Sequence, residues 1–204
     1  MVNGPRSDSI TVPANYGKMR FWRNTSIATL LPGEVATLPK GTLGYEWDED
    51  LDNGFRPAGL VRLSSTTLSI AGQYLLDFGS RYGSGTAAHS LTLYRNPTSS
   101  ALVFGAGTVQ WSWGLDSNHD NGNLPPDLNM QQATVNLLAD MGVQPATLQP
   151  GLVPASGLTD TIPPTSVITS PPNGAELPTL NAVAITGTAA DSGGGVVGGV
   201  EVSV

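Results

Sequence analysis

Residues 101–142, ALVFGAGTVQWSWGLDSNHDNGNLPPDLNMQQATVNLLADMG, decide how the chain is read. Ala101 to Phe104 is a short β-prone run, Gly105-Ala106-Gly107 a turn, Trp111 to Trp113 an aromatic segment and Asp116 to Gly122 a polar loop. Pro125-Pro126 ends the loop. Asp127 then stands where its carboxylate can accept the free N–H groups of a helix's first turn. Met130, Thr134, Leu137, Leu138 and Met141 recur at helical spacing, and Gly142 is placed to close the helix in the left-handed conformation. The pattern predicts one helix over 127–141, resting on a sheet built by the residues before it. Strand, turn, loop and helix in this order form the closing unit of an α/β layer.

Upstream, Glu34 to Leu38 and Leu43 to Trp47 read as strands, and Met19 to Trp22 as a strand or a helix end. Leu60 to Ile70 alternates apolar and polar residues with period two, as a half-buried strand does. Gln73 to Phe78 is a further apolar run, Ser80 to Gly85 a glycine-rich loop, and His89 to Tyr94 pairs with Ala101 to Phe104 as a hairpin. Downstream, residues 146–164 lose all periodicity and turn rich in Pro, Thr and Gly, the composition of a linker. Residues 165–204 resume short β-prone runs between turns, but they fall well short of the roughly 100 residues of an immunoglobulin-type sandwich. The expected organisation is therefore a β-rich α/β part over 1–145, a linker over 146–164 and a truncated all-β sandwich over 165–204. A half sandwich leaves strand edges unpaired.

Composition narrows the function classes. The net charge is −7 with only 9 Lys and Arg in 204 residues, so no basic surface exists to neutralise a nucleic-acid backbone. Cysteine is absent, which removes disulfides, thiolate metal sites and cysteine nucleophiles. No apolar run approaches the ~20 residues that a membrane helix needs. A chain rich in Ser, Thr, Gly and Ala and poor in Lys fits an exported, extracellular or cell-surface bacterial protein. Residues 1–17 lack the basic-then-apolar order of a signal peptide, so an export signal is expected upstream.

Three motifs in order, GYEWDEDLDNGFRPAG (44–59), VFGAGTVQWSWGLD (103–116) and MQQATVNLLADMG (130–142), resemble the C-terminal region of the N,N-dimethylformamidase large (β) subunit. The resemblance implies a glutamine-amidotransferase-like α/β fold within large exported actinobacterial proteins. The tail from Pro163 is similar to the opening of a bacterial Ig-like repeat. In that family the resemblance implies a single iron held by a Tyr and a His-x-Glu pair upstream of this region. No His-x-Glu occurs here, since His89 precedes Ser90-Leu91 and His119 precedes Asp120-Asn121. The resemblance therefore implies no catalytic residue and no family iron site in this chain.

Two loops carry alternating oxygen ligands: Asp48, Asp50 and Asp52 before Asn53-Gly54, and Asp116, Asn118 and Asp120 before Asn121-Gly122. Such spacing can gather oxygens around calcium, although the twelfth positions, Gly59 and Asp127, lack the bidentate Glu of an EF-hand. The same spacing also makes ordinary Asx turns. Trp47, Trp111 and Trp113 can form a platform for a polysaccharide ring or can pack in the core. Trp111 and Trp113, two apart, would share one face of an extended segment. His89 reads as structural and His119 as a possible ligand in its loop. Two function classes remain. One is part of a hydrolase-like or carbohydrate-associated surface protein whose chemistry lies elsewhere. The other is a non-catalytic carbohydrate- or surface-binding scaffold on Ig-like spacers.

Overall fold

A computed structural model describes residues 1–120, 124–178 and 182–202. In chain order the elements are β1 (Val2–Asp8), β2 (Thr11–Pro13), the single turn α1 (Ala14–Gly17), β3 (Val35–Thr37), β4 (Leu43–Trp47), β5 (Val61–Arg62) and β6 (Thr66–Leu76). Then come β7 (Arg81–His89), β8 (Thr92–Arg95), β9 (Leu102–Gly105), the helix α2 (Leu128–Asp140), β10 (Thr165–Ser170) and β11 (Thr186–Ala190). Contacts divide the chain into two compact units, Met1–Leu158 and Thr159–Val204.

The first unit is β-rich, and its described strand pairings are antiparallel. A four-stranded sheet runs in the order β4-β1-β6-β7, a three-stranded one as β5-β8-β9, and β2 pairs with β3. Two elements depart from the sequence reading. The stretch Leu60–Ile70 is broken into β5 and β6, because Leu63 N–H donates to Leu91 O at 2.8 Å and Ser64 Oγ accepts Leu91 N–H at 2.7 Å. These bonds turn the chain from one sheet to the other.

The glycine-rich run 80–85, expected as a loop, lies mostly in β7, from Arg81 onward, in register with Tyr74, Leu75 and Leu76. Its glycines have a packing reason: a Cβ on Gly83 would stand 2.5 Å from Leu76 Cδ1, and one on Gly85 2.8 Å from Tyr74 Cδ1. Large side chains on β6 occupy the space that β7 leaves open.

The core joins Val2, Ile10, Phe21, Trp22, Leu43, Trp47, Leu91, Met130 and Leu137. Trp22 is fully buried, and its Nε1–H donates to Leu63 O at 2.8 Å. The aromatic side chains pack outward from it, Phe21 edge-on to Trp22 at 4.8 Å and stacked on Phe104 at 5.3 Å between ring centroids. Met19–Trp22 resolves as a 3-10 turn over Arg20–Trp22.

Helix α2 forms where its end signals stand. Asp127 accepts Met130 N–H at 3.0 Å, and Gly142, at φ 82°, closes the helix. Gly142 N–H donates to Ala139 O and Val143 N–H to Leu138 O, the paired bonds of a Schellman end. The buried apolar stripe is shifted from the expected one. Met130 and Leu137 are buried, whereas Leu138 and Met141 are exposed. The rest of the buried face mixes Ala133, Val135 and Ala139 with polar residues: Gln131, Gln132 and Asn136 all lie under 9% exposed.

That polar face explains the path of the chain beyond the helix. The stretch 146–164, expected as a linker, is shared between the two units, and its first part is docked on α2. Gln132 accepts Val153 N–H at 2.9 Å and donates to Val153 O at 3.0 Å. Gln144 Nε2–H donates to Ala155 O. Ala155 is buried with Val135 and Ala139. Ser156 O accepts from both Arg20 and Arg23. Bonds from glutamine and arginine side chains to backbone need no hydrophobic period, so the sequence shows none.

In the second unit β10 and β11 form an antiparallel pair from Thr165↔Ala190 to Ser170↔Thr186. Within the β-prone tail, residues 196–202 have no regular structure.

Candidate functional site

The first unit carries a cleft of about 360 Å³ between the loop 48–60, the start of β8 and the exit of β9. Its walls mix Asp48, Glu49, Asp50 and Arg56 with Leu51, Phe55 and Leu60. Asn53, Pro57, Ser90, Thr92, Gly105 and Gly107 complete the lining. The loop is braced at several points. Asp48 N–H donates to Gly107 O at 2.8 Å. Asp50 accepts Arg56 Nε–H at 3.0 Å and Arg62 Nε–H at 2.7 Å, and Arg56 also donates to Leu60 O at 3.0 Å. Burial pulls the Asp50 carboxyl upward, but the hydrogen bonds from Arg56 and Arg62 outweigh it and hold its pKa below the ordinary value.

Glu49 turns away from the loop. It accepts Tyr74 Oη–H and, at 2.9 Å, the N–H of Ala88 on the outer edge of β7. The bond to Glu49, helped by burial, raises the Tyr74 pKa.

Behind the cleft His89 is fully buried, with Nε2–H donating to Ala106 O at 2.8 Å and its ring edge-on to Trp47 at 5.9 Å. Burial drives its pKa down to about 4, against the weaker upward pull of the Ala106 carbonyl, so the ring is neutral at pH 7. A Cβ on Gly107 would stand 3.1 Å from His89 Nε2, and Gly107 has φ +60°. The expected close-packing turn at 105–107 is therefore what lets the buried imidazole sit under the cleft floor.

Of the candidate cation ligands, Asp50 is occupied by two guanidinium groups. Asp116 Oδ1 accepts Asn118 N–H at 2.6 Å, which is an Asx turn. Asp48, Asp52, Asn118 and Asp120 lie at or near the surface. No group of three His, Asp or Glu side chains suited to a metal ion is gathered among the described residues. Asn121-Gly122 lies outside the described residues.

The three tryptophans do not form one platform. Trp47 is buried at 1% exposure in the core. Trp111 and Trp113 fall in a 3-10 turn, Trp111–Gly114, rather than an extended segment, so they point apart. Trp111 packs on Phe104 at 5.6 Å, and Trp113 stacks on His119 at 4.6 Å with 11° between the rings.

Asp48 and Asp50 stand out in the sequence as candidate cation ligands, but the cleft they line escapes that reading because its residues come from separated segments. The available signal was Phe55, an aromatic side chain between Gly54 and Arg56 in a polar loop, and it is 90% exposed.

Antiparallel sheets, one capping helix and a braced loop over a cleft define a β-rich domain. The family model described as N,N-dimethylformamidase beta subunit-like, C-terminal, matches residues 2–123, more than half of the chain, and the chain belongs to that family. The match ends before α2, so the helix and the segment docked on it lie beyond it. No match is found among curated proteins or among solved structures. No helix among the described residues is long and apolar enough to cross a membrane.

Proposed function

We propose that this chain is a non-catalytic part of an exported multi-domain bacterial protein, in which family chemistry is carried by residues other than these. On this reading the antiparallel first unit is the β-rich end of an amidotransferase-like domain, and the second unit begins an Ig-like spacer. The observation that carries the proposal is the commitment of Glu49, Asp50, Asp140 and the buried His89 to structure. Glu49 is bonded to Tyr74 and Ala88, and Asp50 to Arg56 and Arg62. Asp140 is bonded to Arg20 and Arg23 at 3.0 Å each, and His89 to Ala106 O with its ring out of solvent. A general acid or base must reach a substrate proton, and a group held this way cannot do so without breaking the fold.

The test is amine release from N,N-dimethylformamide by the purified chain supplied with ferrous iron. No turnover is expected. Turnover abolished by His89→Gln or Glu49→Gln would overturn the proposal. Export predicts recovery of the parent protein from the culture medium rather than the cytosol.

A second reading, a carbohydrate- or surface-binding module, is favoured by one observation: the braced loop holds Phe55 in solvent beside a cleft.

A further inference from the structure

We propose that the cleft between the loop 48–60, β8 and β9 is a binding site for a neutral sugar, one or two rings long, with Phe55 as its stacking platform. The inference rests on the binding reading above and moves the sugar site away from the tryptophans, which are buried, packed on Phe104 or stacked on His119.

Size comes first. A cleft of about 360 Å³ lies at the small end of the range that holds small ligands.

Rigidity comes second. A loop tip bearing an aromatic ring ordinarily folds that ring inward, because burying it is favourable. Here Asp50 ties Arg56 and Arg62 together on the C-terminal side of the loop, and Asp48 N–H holds Gly107 O on the other. Phe55 N–H donates to Asn53 Oδ1 at 3.1 Å, which fixes the backbone next to the ring. The ring stays out, 90% exposed. A platform held in advance loses little conformational freedom when a ligand docks.

Chemistry comes third. The face of a pyranose ring presents slightly positive C–H groups, which suit the negative face of a phenyl ring. Its rim presents hydroxyls, which need acceptors and donors together. The Asp48 carboxylate supplies acceptors, Asn53 a side-chain amide, and Ser90 and Thr92 hydroxyls that serve both ways. The floor is Gly105 and Gly107, where no side chain stands between ligand and backbone; a Cβ on Gly105 would strike Thr92 Oγ1 at 2.7 Å.

Charge decides between ligand classes. An anion entering the cleft meets the Asp48 carboxylate, and the guanidinium groups of Arg56 and Arg62 nearby are engaged by Asp50. A cation meets the Arg56 wall. A neutral polyhydroxylated ring avoids both penalties, and it alone uses the exposed phenyl and the hydroxyls together.

The experiment is an amide-resolved NMR titration of the full chain with maltotriose, cellotriose and the N-acetylglucosamine trimer. At least one trisaccharide is expected to shift amides of 48–60, 90–92 and 105–107 while leaving those of α2 in place. Phe55→Ala should weaken that binding at least about tenfold without lowering the melting temperature, because the ring is solvent-exposed. Asp48→Asn should weaken it less. Thr92→Val serves as a second variant on the opposite wall. Shifts from no trisaccharide, shifts undiminished in Phe55→Ala, or shifts centred on Trp113 and His119 would each overturn the assignment. Amide hydrolysis by the chain would overturn the non-catalytic reading while leaving a positive titration intact, so the two failures are distinguishable.

Discussion

Replacing Asn136 with Ala should destabilise the first unit far more than the loss of one polar side chain suggests. Asn136 is fully buried in the middle of α2. Its Nδ2–H group donates to Phe21 O at 2.9 Å and to Arg23 O at 2.6 Å, and its Oδ1 accepts Gln132 Nε2–H at 3.1 Å. In Asn136→Ala Gln132 keeps Val153 O as an acceptor, but two carbonyls of the 20–23 turn lose their donor. A buried polar group left unpaired costs about 1–3 kcal/mol. The expected loss is therefore about 3 kcal/mol, allowing for some relief by entering water. With a urea dependence of about 2 kcal/mol/M, the unfolding midpoint should fall by about 1.5 M.

Trp22 is part of this turn, so intrinsic fluorescence during urea titration reads the event directly. Leu138→Ala, at an exposed position on the same helix, is the reference and should cost less than about 1 kcal/mol. An Asn136→Ala loss no larger than that of Leu138→Ala would refute the idea that this amide clamps helix to turn.

Four further outcomes are expected. His89 has its pKa lowered to about 4 by burial, against about 6.5 in the unfolded chain. Its contribution is therefore fully present above about pH 6.5 and lost as pH falls towards 4, a loss of about 3 kcal/mol; urea midpoints measured across this window should fall, and His89→Gln should flatten the fall. Gly85→Val should destabilise the hairpin β6–β7 by about 1–3 kcal/mol despite the better strand propensity of Val, because its Cβ meets Tyr74; a neutral or raised melting temperature would contradict this. Millimolar calcium should leave the melting temperature unchanged, since Asp50 is held by two arginines; a rise abolished by Asp48→Asn would instead make 48–52 a cation site. Amides of β10 and β11, a two-stranded pair with β10 exposed throughout, should exchange faster than those of α2; equal protection in dilute solution would refute this.

The parts of the fold legible in the sequence are those fixed by local chemistry. Asp127 and Gly142 mark the ends of α2 because capping involves only neighbouring residues, and Leu43–Trp47 reads correctly as a strand for the same kind of reason. The hairpin was half hidden. Strand β7 carries Gly83 and Gly85 because the side chains of Leu76 and Tyr74 reach over them from diagonal positions on β6, a relation visible only once the pairing register is known. The helix stripe misled at Leu138 and Met141 because the buried face is completed by Gln131, Gln132 and Asn136, whose partners lie in other segments. The cleft was invisible for a related reason. Asp48, Phe55, Thr92 and Gly107 meet only after the four-stranded and three-stranded sheets have been assembled, and no spacing along the chain announces it.

The polar buried face of α2 fixes where this polypeptide can be cut. Without the segment 144–156, Gln132 would lose Val153, and Ala155 would no longer cover Val135 and Ala139. Arg20 and Arg23 would lose the carbonyl of Ser156 that they share. A protease should therefore find its first sites beyond Leu158 and leave a resistant piece that includes this segment. Shortening the chain to residue 145 should instead yield a helix with its glutamines stranded, and a first unit that unfolds far more readily.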